Sequence, residues 1–173
     1  MRLFIAINFD RETRSRLTAL RDALRADSTQ GRFSAPENLH LTLVFLGECD
    51  EKQATAARAA MDAVRFEPFA MGIGRLGRFR REGGDIWWAG VSECQQLAEL
   101  QKELTKELTE RGFRIERRKF SPHITLGREI VTKASPCAIE EFGQRVNKIE
   151  LIKSERIDGK LTYTAIYETG AGR

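Results

Sequence analysis

A chain of 173 residues is long enough for one domain with a real core, or for two small lobes that share one. Hydrophobic residues at 41% and charged residues at 31% exclude a disordered chain, and 29 Lys and Arg against 25 Asp and Glu leave a net charge of +4, an excess that suits a polyanionic partner without requiring one. Cys49, Cys94 and Cys137 are odd in number and lack CxxC spacing, which excludes a disulfide scaffold and a zinc site built from cysteine pairs. A reducing compartment is their simplest home. The first residues carry only a short apolar run followed at once by charges, which does not read as a signal peptide, and no stretch approaches the length of a membrane span. The expectation is a soluble, cytoplasmic, monomeric protein.

In chain order, "RLFIAINF" (2–9) reads as a buried strand, and Asp10 then caps a helix whose Leu17, Leu20 and Leu24 repeat at helical spacing. A polar loop through Gly31 and Pro36 leads to "NLHLTLVFLG". There His40, Thr42, Val44 and Leu46 alternate with Leu41, Leu43 and Phe45, the mark of a strand with two distinct faces. An alanine-rich helix follows, with Ala54, Ala57, Met61 and Val64 on one stripe. The glycine-interrupted "PFAMGIGRLGRF" reads as a strand that runs through a "REGGD" turn into the strand "IWWAGV". Ser92 and Gln95 have capping-box spacing at the head of a helix marked by Leu97, Leu100, Leu104 and Leu108. "RKFSPHITLGR" returns as a strand, a weaker helix is expected near Pro136, and the chain closes in two strands around an Asp158-Gly159 turn. Basic residues gather twice, at Arg75, Arg78, Arg80 and Arg81, which read as solvated surface, and at Arg114, Arg117, Arg118 and Lys119, directly before the second histidine strand.

The chain has only two histidines, and a shift of 83 positions lays His40 on His123, Thr42 on Thr125 and Leu43 on Leu126. Without a gap, the same shift lays "FIAIN" (4–8) on "WWAGV" (87–91) and Asp10 on Glu93. Strand, helix, loop and histidine strand therefore recur in order. The fold class expected is α+β: two pseudo-symmetric lobes within one domain spanning 1–173, each an antiparallel sheet backed by helices, with a central cleft between the two histidine strands.

Side chains two apart on a strand share a face, about 6.6 Å from one another. Each motif thus offers one imidazole and one hydroxyl, while Leu41, Leu43, Ile124 and Leu126 anchor the opposite face. Two imidazoles flanking a phosphorus centre serve as acid and base at once, and two threonine hydroxyls donate to non-bridging oxygens where charge builds. Such an in-line displacement needs no metal and no cofactor. Two histidines on separate strands with no clustered carboxylates fall short of a metal-ligand set; a metal-dependent phosphatase would lose activity to a chelator. A non-catalytic module binding RNA ends or nucleotides in the same cleft is the other alternative, and turnover separates it from an enzyme.

With its two H-x-T motifs, "ENLHLTLVFLGE" and "FSPHITLGR", the chain resembles the two-histidine phosphoesterases. Within them it is similar to the RNA 2',3'-cyclic phosphodiesterases, also known as 2'-5' RNA ligases. The resemblance implies hydrolysis of a 2',3'-cyclic phosphate at an RNA or nucleotide end to a 2'-phosphomonoester, with weak 2'-5' joining as the reverse sense. It also implies His40 as proton donor to the leaving oxygen and His123 as the base that activates water, with Thr42 and Thr125 beside them. Arg128 resembles a substrate-phosphate position and Phe45 a base-stacking one. Strict alternation puts both on the face opposite the histidines, so they reach the cleft only where a strand ends, twists or bulges. Trp87 and Trp88 read as core.

Overall fold

The computed structural model describes all 173 residues. Nine strands form two sheets in which every pairing is antiparallel. The four-stranded sheet has the order β3-β1-β8-β9, from β1 (Arg2–Ile7), β3 (Leu41–Glu48), β8 (Lys148–Ile157) and β9 (Lys160–Gly170). The five-stranded sheet has the order β2-β6-β5-β4-β7, from β2 (Ser28–Phe33), β4 (Phe69–Phe79), β5 (Asp85–Val91), β6 (His123–Thr132) and β7 (Cys137–Val146). Three helices complete the fold: α1 (Arg11–Ala26), α2 (Glu51–Ala63) and α3 (Gln95–Glu110). The α+β class with one sheet per lobe is as expected.

Local chemistry sets several element ends. The Asp10 carboxylate accepts the Thr13 N–H at 2.8 Å and starts α1, and Asp50 with Gln53 forms a reciprocal capping box on α2. Asp158 and Gly159 take φ of 50° and 76°, the left-handed pair that closes a two-residue hairpin between β8 and β9. At α3 the expected Ser92 cap does not form. Ser92 N–H instead bonds the Gly72 carbonyl of β4 at 2.8 Å, and Cys94, two residues on, heads the helix without a side-chain bond.

Two elements differ from expectation for one reason. Residues 28–33, read as loop, form β2, and the segment after Pro136, read as helix, forms β7. Both lie at the edges of the five-stranded sheet, where one side and one face meet solvent, so their sequences lack the apolar signature that marks a buried strand. β7 is specified by its partner: Gly143 lies opposite Gly72 on β4, and a Cβ at Gly143 would come within 1.9 Å of the Met71 carbonyl oxygen.

The helices are exchanged between the sheets. α1 leaves β1 of the four-stranded sheet yet packs on β6 and β7 of the other, where Thr13 Oγ1 donates to the Gly143 carbonyl at 3.1 Å. α3 leaves β5 of the five-stranded sheet yet packs on β3 and against α2, which itself covers β8 and β9. Most of the buried side chains accordingly merge into one cluster of 34 residues, with Phe4, Ala6 and Ile152 forming a small second one, so the two sheets share one main core. Its largest members include Leu104, Leu17 and Trp87, none of them detectably exposed. Truncating such a leucine to alanine costs about 2–5 kcal/mol.

The internal repeat holds with one correction: it is not gap-free. On β1 and β3, Ile5, Ala6 and Ile7 lie opposite Val44, Thr42 and Leu41; on β5 and β6, Trp87, Trp88 and Ala89 lie opposite Gly127, Thr125 and Ile124. The motif strands are thus related by 83 positions (42 to 125) and their partners by 82 (6 to 88). The helices begin 84 apart (11 to 95), so Asp10 corresponds to Cys94 and not to Glu93.

Candidate active site

The same registers reveal a shared irregularity. Leu43 on β3 and Leu126 on β6 are each passed over in the pairing, so two motif-strand residues oppose one on the partner. Leu43 and Val44 are both buried, as are Leu126 and Gly127. The extra residue shifts the alternation by one, and Phe45 and Arg128 come out on the face that carries the histidines and threonines. Strict alternation put them on the opposite face; the repeated bulge corrects that. Phe45 is 65% exposed and lies 5.9 Å, ring centre to ring centre, from buried Phe4 of β1.

A cavity of about 740 Å³ opens between the two sheets, and all six residues singled out in the sequence line it: His40, Thr42, Phe45, His123, Thr125 and Arg128. The two imidazoles are held by the same device. Nδ1–H of His40 donates to the Asn38 carbonyl at 2.7 Å, and Nδ1–H of His123 donates to the Ser121 carbonyl at 2.6 Å, each two residues upstream. This fixes the tautomer and leaves Nε2 as the unprotonated nitrogen of both neutral rings. Each ring also meets one aromatic edge-on at 5.1 Å, Tyr163 of β9 for His40 and Phe79 of β4 for His123, with interplanar angles of 88° and 89°. Phe4 lies 4.8 Å from the His40 ring and Trp88 lies 6.1 Å from that of His123.

The surroundings then diverge. His40 Nε2 lies 2.9 Å from Thr42 Oγ1, which donates to it while the ring is neutral and accepts from it when protonated. Nε2 of His123 and the Thr125 hydroxyl have no hydrogen-bond partner in the protein; only the Thr125 carbonyl is engaged, accepting from Ser34 Oγ at 3.0 Å. Burial holds the His40 imidazole below its ordinary value of 6.5, the bond to Asn38 opposes this, and the charges of Arg14 and His123 lower it further. Arg14 of α1 pins the turn before His40 by donating to the Pro36 carbonyl at 2.6 Å.

Charge on the cleft wall is mostly positive. Arg32 is committed to Glu129 and Arg118 to Glu116, whereas Arg128, Lys119 and Lys160 line the cavity without an ion pair. Of the second basic cluster, Arg118 and Lys119 reach the cleft and Arg114 and Arg117 do not. The first cluster lies outside it. Arg75 stacks over Trp88 at 5.0 Å and Arg78 over Trp87 at 5.5 Å while pairing with Asp85, so two of its members brace the sheet that carries His123. Trp87 and Trp88 are buried, as expected of core, although Trp88 also supports His123. Nowhere do three His, Cys, Asp or Glu side chains gather in a metal-binding cluster. Tyr163, Phe79, Phe4 and Lys160 are site residues that sequence reasoning missed. They sit in strands with no motif of their own, and only the sheet order brings them beside the histidines.

The profile of the 2'-5' RNA ligase superfamily matches residues 9–158. The chain is 31% identical to the RNA 2',3'-cyclic phosphodiesterase of Methanothermobacter thermautotrophicus, with 95% of each covered. It is 30% identical to that of Escherichia coli, with 95% of this chain and 93% of the relative covered. Among solved structures it superimposes on E. coli LigT complexed with 3'-AMP with a TM-score of 0.86 at 26% identity, covering 99% of this chain and 98% of the other. By its motifs, its paired sheets and these likenesses, the chain belongs to the 2'-5' RNA ligase superfamily.

Proposed function

We propose that the protein is an RNA 2',3'-cyclic phosphodiesterase that opens the cyclic phosphate at an RNA or nucleotide end to a 2'-phosphomonoester. The observation that carries this reading is the pair of imidazoles tethered alike through Nδ1, with both Nε2 atoms presented to one cavity. His123, whose Nε2 is unengaged, takes the proton from an attacking water. The water oxygen bonds phosphorus, the bond to the 3'-oxygen breaks, and His40 delivers its proton to that departing oxygen. Thr42, Thr125 and Arg128 donate to the non-bridging oxygens. Phe45 offers a face on which the terminal base stacks. The depressed affinity of His40 for a proton fits the donor role once substrate is bound, because the phosphate anion offsets the loss of solvation. A 5'-hydroxyl in place of water gives a 2'-5' bond by the same route.

Every group invoked belongs to one chain, so the reading needs no second copy, and the exchanged helices favour treating 1–173 as one bilobal domain. No helix is long and apolar enough to cross a membrane, and all three cysteines are free, which fits work on RNA in the cytoplasm. The test is hydrolysis of a short RNA ending in a 2',3'-cyclic phosphate, with chelator present, by wild type, His40→Ala and His123→Ala. A 2'-phosphate product lost in both variants is expected. Tight binding without turnover would make the cleft a recognition site instead.

A further inference from the structure

We propose that Tyr163 is a further catalytic residue, its hydroxyl donating a hydrogen bond to the substrate oxygen that leaves phosphorus on the His40 side. The inference rests on the reading of the cleft as a cyclic phosphodiesterase with His40 as the acid.

Each histidine has one aromatic ring at its edge. Phe79 meets His123 and Tyr163 meets His40 at the same distance and nearly the same angle, so the two rings do the same packing work. They come from strands that the repeat does not relate. What distinguishes them chemically is one hydroxyl, and it stands on the side of the proposed leaving group. The attacking water on the His123 side needs an acceptor for its proton. The departing oxygen on the His40 side accumulates negative charge and needs donors.

Tyr163 is placed to be one of them. Its ring sits in a small apolar cluster with Phe4, Ala6 and Ile152, meeting Phe4 at 5.1 Å and 78°, which leaves little freedom to turn. Asn38 fixes its relation to His40: the Asn38 carbonyl accepts from His40 Nδ1–H, and the Asn38 side-chain amide donates to the Leu161 carbonyl at 3.0 Å, two residues before Tyr163 on β9. A single residue therefore ties the histidine and the tyrosine strand together. The residue that corresponds to Asn38 under the 83-position shift is Ser121, whose side chain makes no such tie, so the arrangement is peculiar to the His40 side. Tyr163 lines the cavity, and its hydroxyl has no hydrogen-bond partner within the protein. A phenol in a polar cleft that satisfies nothing in the fold is available to a ligand. Burial pushes its pKa up, opposed by the charges of Arg128 and Arg2, so near neutral pH it remains a donor.

Tyr163→Phe keeps the ring against His40 and removes the one atom in question. With the cyclic-phosphate RNA under single-turnover conditions, kcat is expected to fall about 10- to 100-fold, somewhat less than the loss of a fully enclosed oxyanion donor, with KM within about twofold of wild type. A second substrate carrying sulfur in place of the bridging 3'-oxygen separates chemistry from packing. A thiolate leaves without a donor, so wild type and Tyr163→Phe should cleave it at the same rate. Unchanged kcat on the oxygen substrate, or an equal deficit on both substrates, overturns the role of Tyr163 while leaving the phosphodiesterase reading in place. Failure of the wild type to hydrolyse either substrate overturns both.

Discussion

His40 and His123 each stand at the head of a motif strand, two residues beyond a carbonyl that takes the Nδ1 proton, yet only His40 has its Nε2 engaged by a hydroxyl. The frame is duplicated: strand pairing, bulge, tether and edge-on aromatic recur on both sides. The surroundings are not, because β9 and the 36–38 turn stand beside His40 while β4 and the 114–121 loop stand beside His123. A repeat can supply two equivalent imidazoles, but the proposed acid and base need different environments. Those come from the unrepeated elements.

The comparison breaks most directly at the imidazoles. Removing either one should lower kcat by about 10²- to 10⁴-fold, and the double variant should be little worse than the poorer single one, because two groups acting in one step lose their function together. A single variant with wild-type turnover in a single-turnover assay would show that one histidine suffices.

Next in size are the two bulge-exposed residues, equivalent in the repeat and different in chemistry. Arg128→Ala removes a charge-assisted contact of about 1.5–3 kcal/mol and should raise KM about 10- to 150-fold, with a salt dependence weaker than that of the wild type. Phe45→Ala removes a stacking surface of about 1–3 kcal/mol and should raise KM with its salt dependence unchanged. Equal salt slopes for the two variants would mean that Arg128 does not meet the phosphate.

The threonines sharpen the contrast further. Thr42→Val strips His40 of its Nε2 partner and should shift the pH profile, whereas Thr125→Val should lower kcat by about tenfold and leave the profile in place. For the wild type, kcat/KM reports the free protein. If His40 is the acid it must carry its proton, so kcat/KM should fall as pH rises through a pKa below 6.5. A kcat/KM that climbs through that limb would assign His40 as the base.

The smallest expected effect is on stability. Burial lowers the proton affinity of His40 in the folded state relative to the unfolded chain, so this group contributes stability that is present above 6.5 and lost as pH falls through the lower folded-state value. Denaturant midpoints should therefore drop less between pH 7 and pH 5 in His40→Gln than in the wild type.

The strands and helices that bury an apolar face were legible in the sequence, because that burial imposes a period of two or of three to four residues on the chain. β2 and β7 were not, since edge strands owe their conformation to a neighbour's free hydrogen-bonding groups more than to their own side chains. The four motif side chains and their duplication follow from local pattern alone, because side chains two apart on a strand share a face whatever the rest of the fold does. The sequence also contained both bulges, though pairing register alone makes Leu43 and Leu126 the residues passed over, and so turns Phe45 and Arg128 into the cleft. Only the tertiary structure exchanged α1 and α3 between the sheets and brought Tyr163 from the last strand against His40. Contacts across more than a hundred residues are set by how layers pack to bury one shared core, and no local pattern encodes them.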